Sequence, residues 1–205
     1  MKPAGELPGT LLRVSLKPLE GFYPRRVPIG PLLGLKGPFS AGDTATIKIP
    51  QFLRPSVSAG RFNVPGIKAL YAAEDEATAE GEVYQHPGLA AVKSERPPDV
   101  VYQIEVKLQA ILDLTEMGTI FEIDTNPAEL VAAWRPLTPA APTQILGQAA
   151  YDCGRIEGIL YYSAPAALKA FGKKCLVVFP DRLKSGSRVT LIDPFGVFKE
   201  QIALT

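Results

Sequence analysis

The sequence predicts an α+β protein with one or two twisted, mostly antiparallel sheets. Predicted strands outnumber predicted helices, and the helices are short. Strand and helix do not alternate regularly, and no Gly-x-Gly-x-x-Gly run follows a strand, so a doubly wound dinucleotide-binding fold is disfavoured. With 205 residues, 46% of them hydrophobic and 21% charged, the chain has the size and composition of one globular domain covering residues 1–205.

The first part of the chain is rich in proline, and residues 1–66 are predicted to form loops with two short strands at 11–15 and 44–49. Residues 67–73 then form a short buried strand. Asp75 follows as the cap of a helix whose first turn is acidic. That helix is expected to run to about His86, because Pro87 cannot continue it.

Residues 100–108 alternate in a way typical of a strand. Val100, Tyr102, Ile104, Val106 and Leu108 share one face, and the residues between them are mainly polar. The alternation predicts one buried and one partly wet face.

The second half of the chain contains helices and strands in turn. A helix is predicted from Asn126-Pro127 to about Trp134, since asparagine is a good cap and proline suits the first turn. A helix over 143–153 is stopped by Gly154. A short helix is predicted at 165–171, and strands are predicted at 158–162, 175–179, 187–192 and 197–203.

Charge and cysteine content exclude several classes of function. The net charge of +1 gives no electrostatic footprint for nucleic acid. Two cysteines outside any Cys-x-x-Cys motif, with His86 as the single histidine, exclude a Cys/His zinc site. Cys153 and Cys175 are compatible with a disulfide, but two buried free thiols are favoured. The chain begins without the apolar core of a signal peptide and has no run of about 20 apolar residues, so we expect a cytoplasmic protein.

One constellation carries chemistry. Gly60 and Gly66 flank a turn that holds Arg61 near the start of a strand, and Tyr71 lies within that strand. Glu82 lies on the following helix, beside its apolar stripe. We therefore expect a guanidinium, a phenol and a carboxylate to converge on one cleft. Taken singly, each of these residues is as readily explained by an ion pair, by core packing or by solvation.

Together these residues resemble the RES domain family, which is named for an arginine, a glutamate and a serine. The family's first block combines a Gly-Arg-Trp/Phe-Asn turn, a strand ending in Leu-Tyr, and an Ala-rich helix with a glutamate and a histidine four residues apart. Later blocks contain a tryptophan, a Thr-Gln-x-x-Gly helix, and a strand closed by Ser-Ala. The matching residues are Gly60-Arg61-Phe62-Asn63, Leu70-Tyr71, Ala77, Ala79, Glu82, His86, Trp134, Thr143-Gln144-Ile145-Leu146-Gly147 and Ser163-Ala164. Order and spacing match over about residues 60–180, the first 55 or so residues match poorly, and Leu12-Arg13-Val14 is similar to the family's opening Tyr-Arg-Val.

The resemblance implies a compact ADP-ribosyltransferase-like fold and a toxin that consumes NAD as its substrate, without a metal or a resident cofactor. It also implies a small antitoxin partner with a DNA-binding part that blocks the cleft. No direct binding of nucleic acid or of a membrane is expected. By resemblance the catalytic residues are Arg61, Tyr71, Glu82 and Ser163, and the substrate-binding residues are Arg13, Asn63 and His86.

These residue types suit cleavage of the nicotinamide–ribose bond. Nicotinamide is a good leaving group, so the barrier lies in forming an oxocarbenium-like ribose, which the Glu82 carboxylate would stabilise. Arg61 would hold pyrophosphate or ribose oxygens, and Tyr71 would stack on the cationic nicotinamide ring. Ser163 would hydrogen-bond the ribose or the nicotinamide amide. Hydrolysis, phosphorolysis and transfer of ADP-ribose to a protein remain open, as does a non-enzymatic binding module.

Overall fold

The computed structural model describes residues 6–28, 51–83, 99–134, 140–164 and 172–204. Within these ranges seven strands form one sheet in the order β2-β5-β4-β3-β6-β7, and β1 pairs along β3. The strands are β1 Lys17–Pro28, β2 Leu70–Ala73, β3 Asp99–Asp113, β4 Gly158–Tyr162, β5 Lys174–Val178, β6 Arg188–Ile192 and β7 Gln201–Ala203. The helices are α1 Leu7–Leu11, α2 Glu76–Val83, α3 Met117–Glu122, α4 Pro127–Val131 and α5 Pro142–Asp152, and a 3₁₀ turn covers Pro180–Arg182.

The predicted α+β class is confirmed, and every strand pair is antiparallel except the parallel pair of β3 and β4. In the residues that the structure describes, no helix is both long and apolar enough to cross a membrane.

The long strand β3 organises the sheet by changing its partner along its length. Its middle part, Gln103–Lys107, pairs with β6 and its last part, Ile111–Asp113, pairs with β4, while β1 lies along nearly all of it. Between the part of β3 that pairs with β6 and the part that pairs with β4, the buried carboxylate of Glu157 accepts backbone hydrogen bonds in place of a neighbouring strand. Gln109 N and Ala110 N each donate to Glu157 Oε2 at 2.7 Å, and Lys184 N donates to Oε1 at 2.6 Å. A carboxylate thus satisfies backbone groups that would otherwise be buried without partners.

Strands β2, β5 and β4 are buried on both faces. Ala73, Tyr161, Cys175 and Val177 belong to a core shared with the helices, whereas Leu70, Leu160, Leu176 and Val178 belong to a second core shared with β3 and β6. Such strands consist of nearly continuous apolar runs instead of alternating polar and apolar residues, and the sequences of β4 and β5 have this character.

Local signals account for most helix boundaries. Thr78 N donates to Asp75 Oδ1 at 2.7 Å, which confirms the predicted cap of α2. Glu129 N likewise donates to Asn126 Oδ1 at 3.0 Å at the start of α4. Helix α5 starts at Pro142 and is followed by Gly154 with φ +69°, the left-handed conformation that glycine adopts readily.

The prediction for the N-terminal segment was wrong in part. Residues 11–15 form the end of α1 and a turn instead of a strand, and the strand that follows is the 12-residue β1. Pro18, Pro24 and Pro28 concealed it in the sequence. These prolines are tolerated because β1 pairs only with β3 among the described strands, so that one of its sides needs no N–H donors.

Other boundaries shifted. Strand β2 starts at Leu70 because Ile67 lies in a turn, with its N–H donating to the carbonyl of Val64 at 3.3 Å. Strand β3 is longer than predicted, at 15 residues, and α4 ends at Val131. Strand β7 starts only at Gln201, because Asp193 holds the preceding turn by accepting from Phe195 N at 2.9 Å and Phe198 N at 2.7 Å. The strand predicted at 44–49, the end of the α2 helix near residue 86 and the helix at 165–171 lie outside the described residues.

Glu157→Ala is expected to lower the free energy of unfolding by roughly 3 kcal/mol, because one buried and two part-buried N–H groups lose their acceptor at once. Glu157→Gln keeps an acceptor oxygen and should cost less. Urea denaturation measures both, with the exposed Glu122→Ala as a control. A Glu157→Ala midpoint equal to that of the control would contradict the assigned role.

Candidate functional site

The candidate site lies on the helix-facing side of strands β2, β5 and β4. The strand registers place Cys175 between Ala73 and Tyr161. Tyr71 lies two residues before Ala73 in β2, so its side chain is on the same face of the sheet. Ser163 follows β4 directly, and Glu82 lies in the last turn of α2. The topology therefore gathers side chains from three strands and one helix.

Glu82 is held by two donors. The Ser163 hydroxyl donates to Glu82 Oε1 at 2.6 Å, and the thiol of Cys175 donates to the same oxygen with an Sγ–Oε1 distance of 3.7 Å. Ser163 and Cys175 are each 1% exposed, whereas Glu82 is half-buried. One carboxylate oxygen is thus fixed, and Oε2 accepts no hydrogen bond from the described residues.

Arg61 is a buried cation, 4% exposed, next to the end of α4. Its Nη1 donates to the carbonyl oxygens of Leu130 at 3.0 Å and Ala132 at 2.8 Å, where the helix dipole favours positive charge. Within the described ranges no carboxylate pairs with the guanidinium, and its buried Nε has no acceptor. The cation is fixed in place, and no carboxylate of the described segments neutralises it.

Tyr71 and Asn63 hold the turn that carries Arg61. Phe62 N donates to the Tyr71 hydroxyl at 2.9 Å, and that hydroxyl donates to Asn63 Oδ1 at 2.8 Å. The fully buried Asn63 amide donates to the carbonyls of Ser58 at 2.8 Å and Ile67 at 3.2 Å. This arrangement favours a positioning role for Asn63 over the substrate contact predicted from sequence.

The charges of Glu82 and Arg61 both influence the phenols of Tyr71 and Tyr161. Burial is the main cause that raises the pKa of both Tyr71 and Tyr161; the carboxylate of Glu82 raises it further, and the guanidinium of Arg61 lowers it. Tyr71 is hydrogen-bonded to the residue after Arg61, and it lies on the same face of β2 and β5 as Cys175, which contacts Glu82. The segments that carry the guanidinium, the phenol and the carboxylate therefore lie on the same side of the sheet. Both phenols stay protonated at neutral pH.

The other sequence-predicted residues are placed less decisively. Arg13 is exposed on the turn after α1, and its side chain makes no hydrogen bond within the described part of the chain. His86 lies outside the described residues. Trp134 is half-buried just after α4. Among the described residues, no group of histidine, cysteine, aspartate and glutamate could hold a metal ion.

Cys153 and Cys175 are free thiols. Of the two alternatives that the sequence left open, a disulfide or two free thiols, the structure therefore has the second. Cys175 and Tyr161 are site residues that sequence reasoning missed. Each lies in an apolar strand with both faces buried, so the sequence alone does not show which core it faces. Pairing β4 with β5 in register would have revealed them, because Cys175 and Tyr161 are direct cross-strand partners.

Comparison with known proteins gives one family and one fold. The family model of the RES domain matches residues 40–197. The structure is similar to a chain in the crystal structure of the Mycobacterium tuberculosis MbcT–MbcA toxin–antitoxin complex, with a TM-score of 0.64 and 18% sequence identity, covering 98% of this chain and 92% of that chain. At this level of identity the similarity concerns the fold. No curated protein matches the chain significantly.

The burial of Cys175 predicts a difference in thiol reactivity. Burial raises the pKa of the Cys175 thiol well above its usual range, so this thiol should stay protonated and react with Ellman's reagent only after denaturation. The half-exposed Cys153 should react in the folded protein. Cys153→Ser is the control, and rapid labelling of this variant in the folded state would show that Cys175 is accessible.

Proposed function

The chain belongs to the RES domain family, and from this membership we propose that it is an NAD-consuming toxin that cleaves the nicotinamide–ribose bond. The observation that carries the proposal is the Glu82 carboxylate, oriented by Ser163 and Cys175 on the same side of the sheet as Tyr71, whose hydroxyl binds the turn that carries Arg61. NAD is the substrate in this scheme.

Glu82 would stabilise the transition state. Departure of nicotinamide leaves positive charge on the ribose, and a fixed carboxylate lowers the energy of that charge without having to reorganise. Because Oε1 is occupied by Ser163 and Cys175, Oε2 is the oxygen available to the ribose. The carboxylate is therefore oriented before substrate arrives.

Ser163 would serve both the carboxylate and the substrate. A hydroxyl has one donor and two acceptor lone pairs, and the donor is used on Glu82. The acceptor side can receive an N–H from the nicotinamide amide, which would place the leaving group next to the carboxylate. Its principal role is then to orient Glu82, with substrate binding as the second.

Arg61 and Tyr71 would bind the two ends of the reacting unit. The guanidinium has no carboxylate partner among the described residues, so its charge remains for the anionic diphosphate of NAD. The half-buried ring of Tyr71 would offer a π face to the cationic nicotinamide, while its hydroxyl stays bound to Phe62 N and Asn63.

A partner protein forms part of the proposal. The similar fold was solved as a toxin–antitoxin complex. We propose that this chain is likewise restrained by a small antitoxin that covers the site and has a DNA-binding part.

Purified protein, freed of any bound inhibitor, is expected to deplete NAD and release nicotinamide, as followed by chromatography with and without phosphate. Free ADP-ribose would identify hydrolysis, a phosphorylated ADP-ribose would identify phosphorolysis, and label retained on protein would identify ADP-ribosyl transfer. If NAD stays intact under all these conditions, the proposed activity is wrong.

Glu82→Gln should lower kcat by roughly 100-fold or more, because it removes a charge that acts mainly in the transition state. The amide oxygen can still accept from Ser163, so the melting temperature should change little. Glu76→Gln, an exposed position on the same helix, is the matched control and should keep wild-type turnover. Full activity of Glu82→Gln would remove Glu82 from the mechanism.

A further inference from the structure

The Thr143-Gln144-Ile145-Leu146-Gly147 motif of α5 contacts the turn that carries Arg61. Gln144 is buried, and its Nε2 donates to the carbonyl oxygen of Gly60 at 3.1 Å. Its Oε1 accepts from Ala141 N at 3.1 Å, which caps the start of the helix. One amide thus links the helix start to the residue preceding Arg61.

Gly147 meets the residue that follows Arg61. A Cβ built at Gly147 would lie 1.9 Å from the carbonyl oxygen of Phe62, so only glycine allows the helix backbone to lie this close. On the other side of the turn, a Cβ at Gly60 would lie 2.6 Å from the Tyr71 hydroxyl oxygen. The turn therefore lies between Tyr71 and α5, with no room for a side chain at Gly60 or Gly147.

The guanidinium end of Arg61 depends on the same helix. Its Nη1 is bound by carbonyls at the end of α4, and α4 packs on α5. Helix α5 therefore positions Arg61 in two ways. It contacts the backbone of Gly60 and Phe62, and it packs against α4, whose end accepts the hydrogen bonds of the guanidinium.

We infer that Gln144 is a positioning residue, which acts through the Gly60 carbonyl to fix the Arg61 guanidinium for an anionic diphosphate ligand. The inference rests on the proposed function, in which Arg61 holds the diphosphate of NAD. A long, flexible side chain binds an anion more tightly when its geometry is set in the free protein, because less conformational entropy is lost on binding. Displacing the guanidinium by about 1 Å would lengthen its hydrogen bonds to the diphosphate and weaken binding.

Gln144→Met tests this without opening a cavity, since methionine keeps the length of the side chain but has no amide. KM for NAD should rise roughly tenfold, while kcat stays within about twofold, because the diphosphate contact is the same in ground and transition states. Gln148→Met is the matched control: its amide lies on the same helix and bonds only Asp152 within the described residues, at 2.7 Å. Thermal unfolding of both variants measures the loss of stability, including the loss of the α5 cap, separately from KM.

A double-mutant cycle shows whether Gln144 acts through Arg61. Affinity for ADP-ribose is measured by calorimetry in the wild type, Gln144→Met, Arg61→Lys and the double variant. Arg61→Lys keeps the charge but loses the planar guanidinium that Gln144 is inferred to position. Gln144→Met should therefore weaken binding no further when it is added to Arg61→Lys. If the two losses add, or if Gln144→Met behaves like Gln148→Met in an active enzyme, the inference is overturned and the proposed function stands. A wild type that neither cleaves NAD nor binds ADP-ribose would overturn both.

Discussion

Burial of both faces of strands β2, β5 and β4 is the constraint on which the rest of the structure depends. Because both faces are largely covered, side-chain parity assigns most residues to one of two cores, and Tyr71, Tyr161 and Cys175 fall on the side covered by helices. The helices that cover this side bring Glu82 and the carbonyls that hold Arg61. The candidate site is therefore a consequence of how the helical core is closed.

The two charges of the site bind neutral partners among the described residues. Arg61 has no carboxylate partner among the described residues, and Glu82 is bound by neutral donors, so neither charge neutralises the other. NAD, the proposed substrate, has an anionic diphosphate and a cationic nicotinamide ring, which is the complementary pattern. A protein that pairs its own cation and anion would gain little by binding such a molecule.

The sequence allowed prediction of much of this arrangement, where local chemistry sets the outcome. The caps Asp75 and Asn126, the stop at Gly154 and the alternation around Ile104 are signals within a few residues. The order of the motifs predicts that Arg61, Tyr71 and Glu82 act in one site, and this stays a prediction. Contacts between distant segments were out of reach: the Glu157 junction and the thiol at Glu82 depend on strand pairings between residues tens of positions apart.

The prolines of β1 have a consequence for how copies of the protein meet one another. Pro24 and Pro28 are an even number of residues apart and neither has an N–H, so both leave the same edge of β1 without a donor. A strand with an unpaired edge is ordinarily a template for intermolecular β-sheet formation and fibre growth. Among the described strands β1 pairs only with β3, and two missing donors four residues apart would weaken any ladder that a second chain formed on its other edge, so the sequence of β1 itself disfavours aggregation.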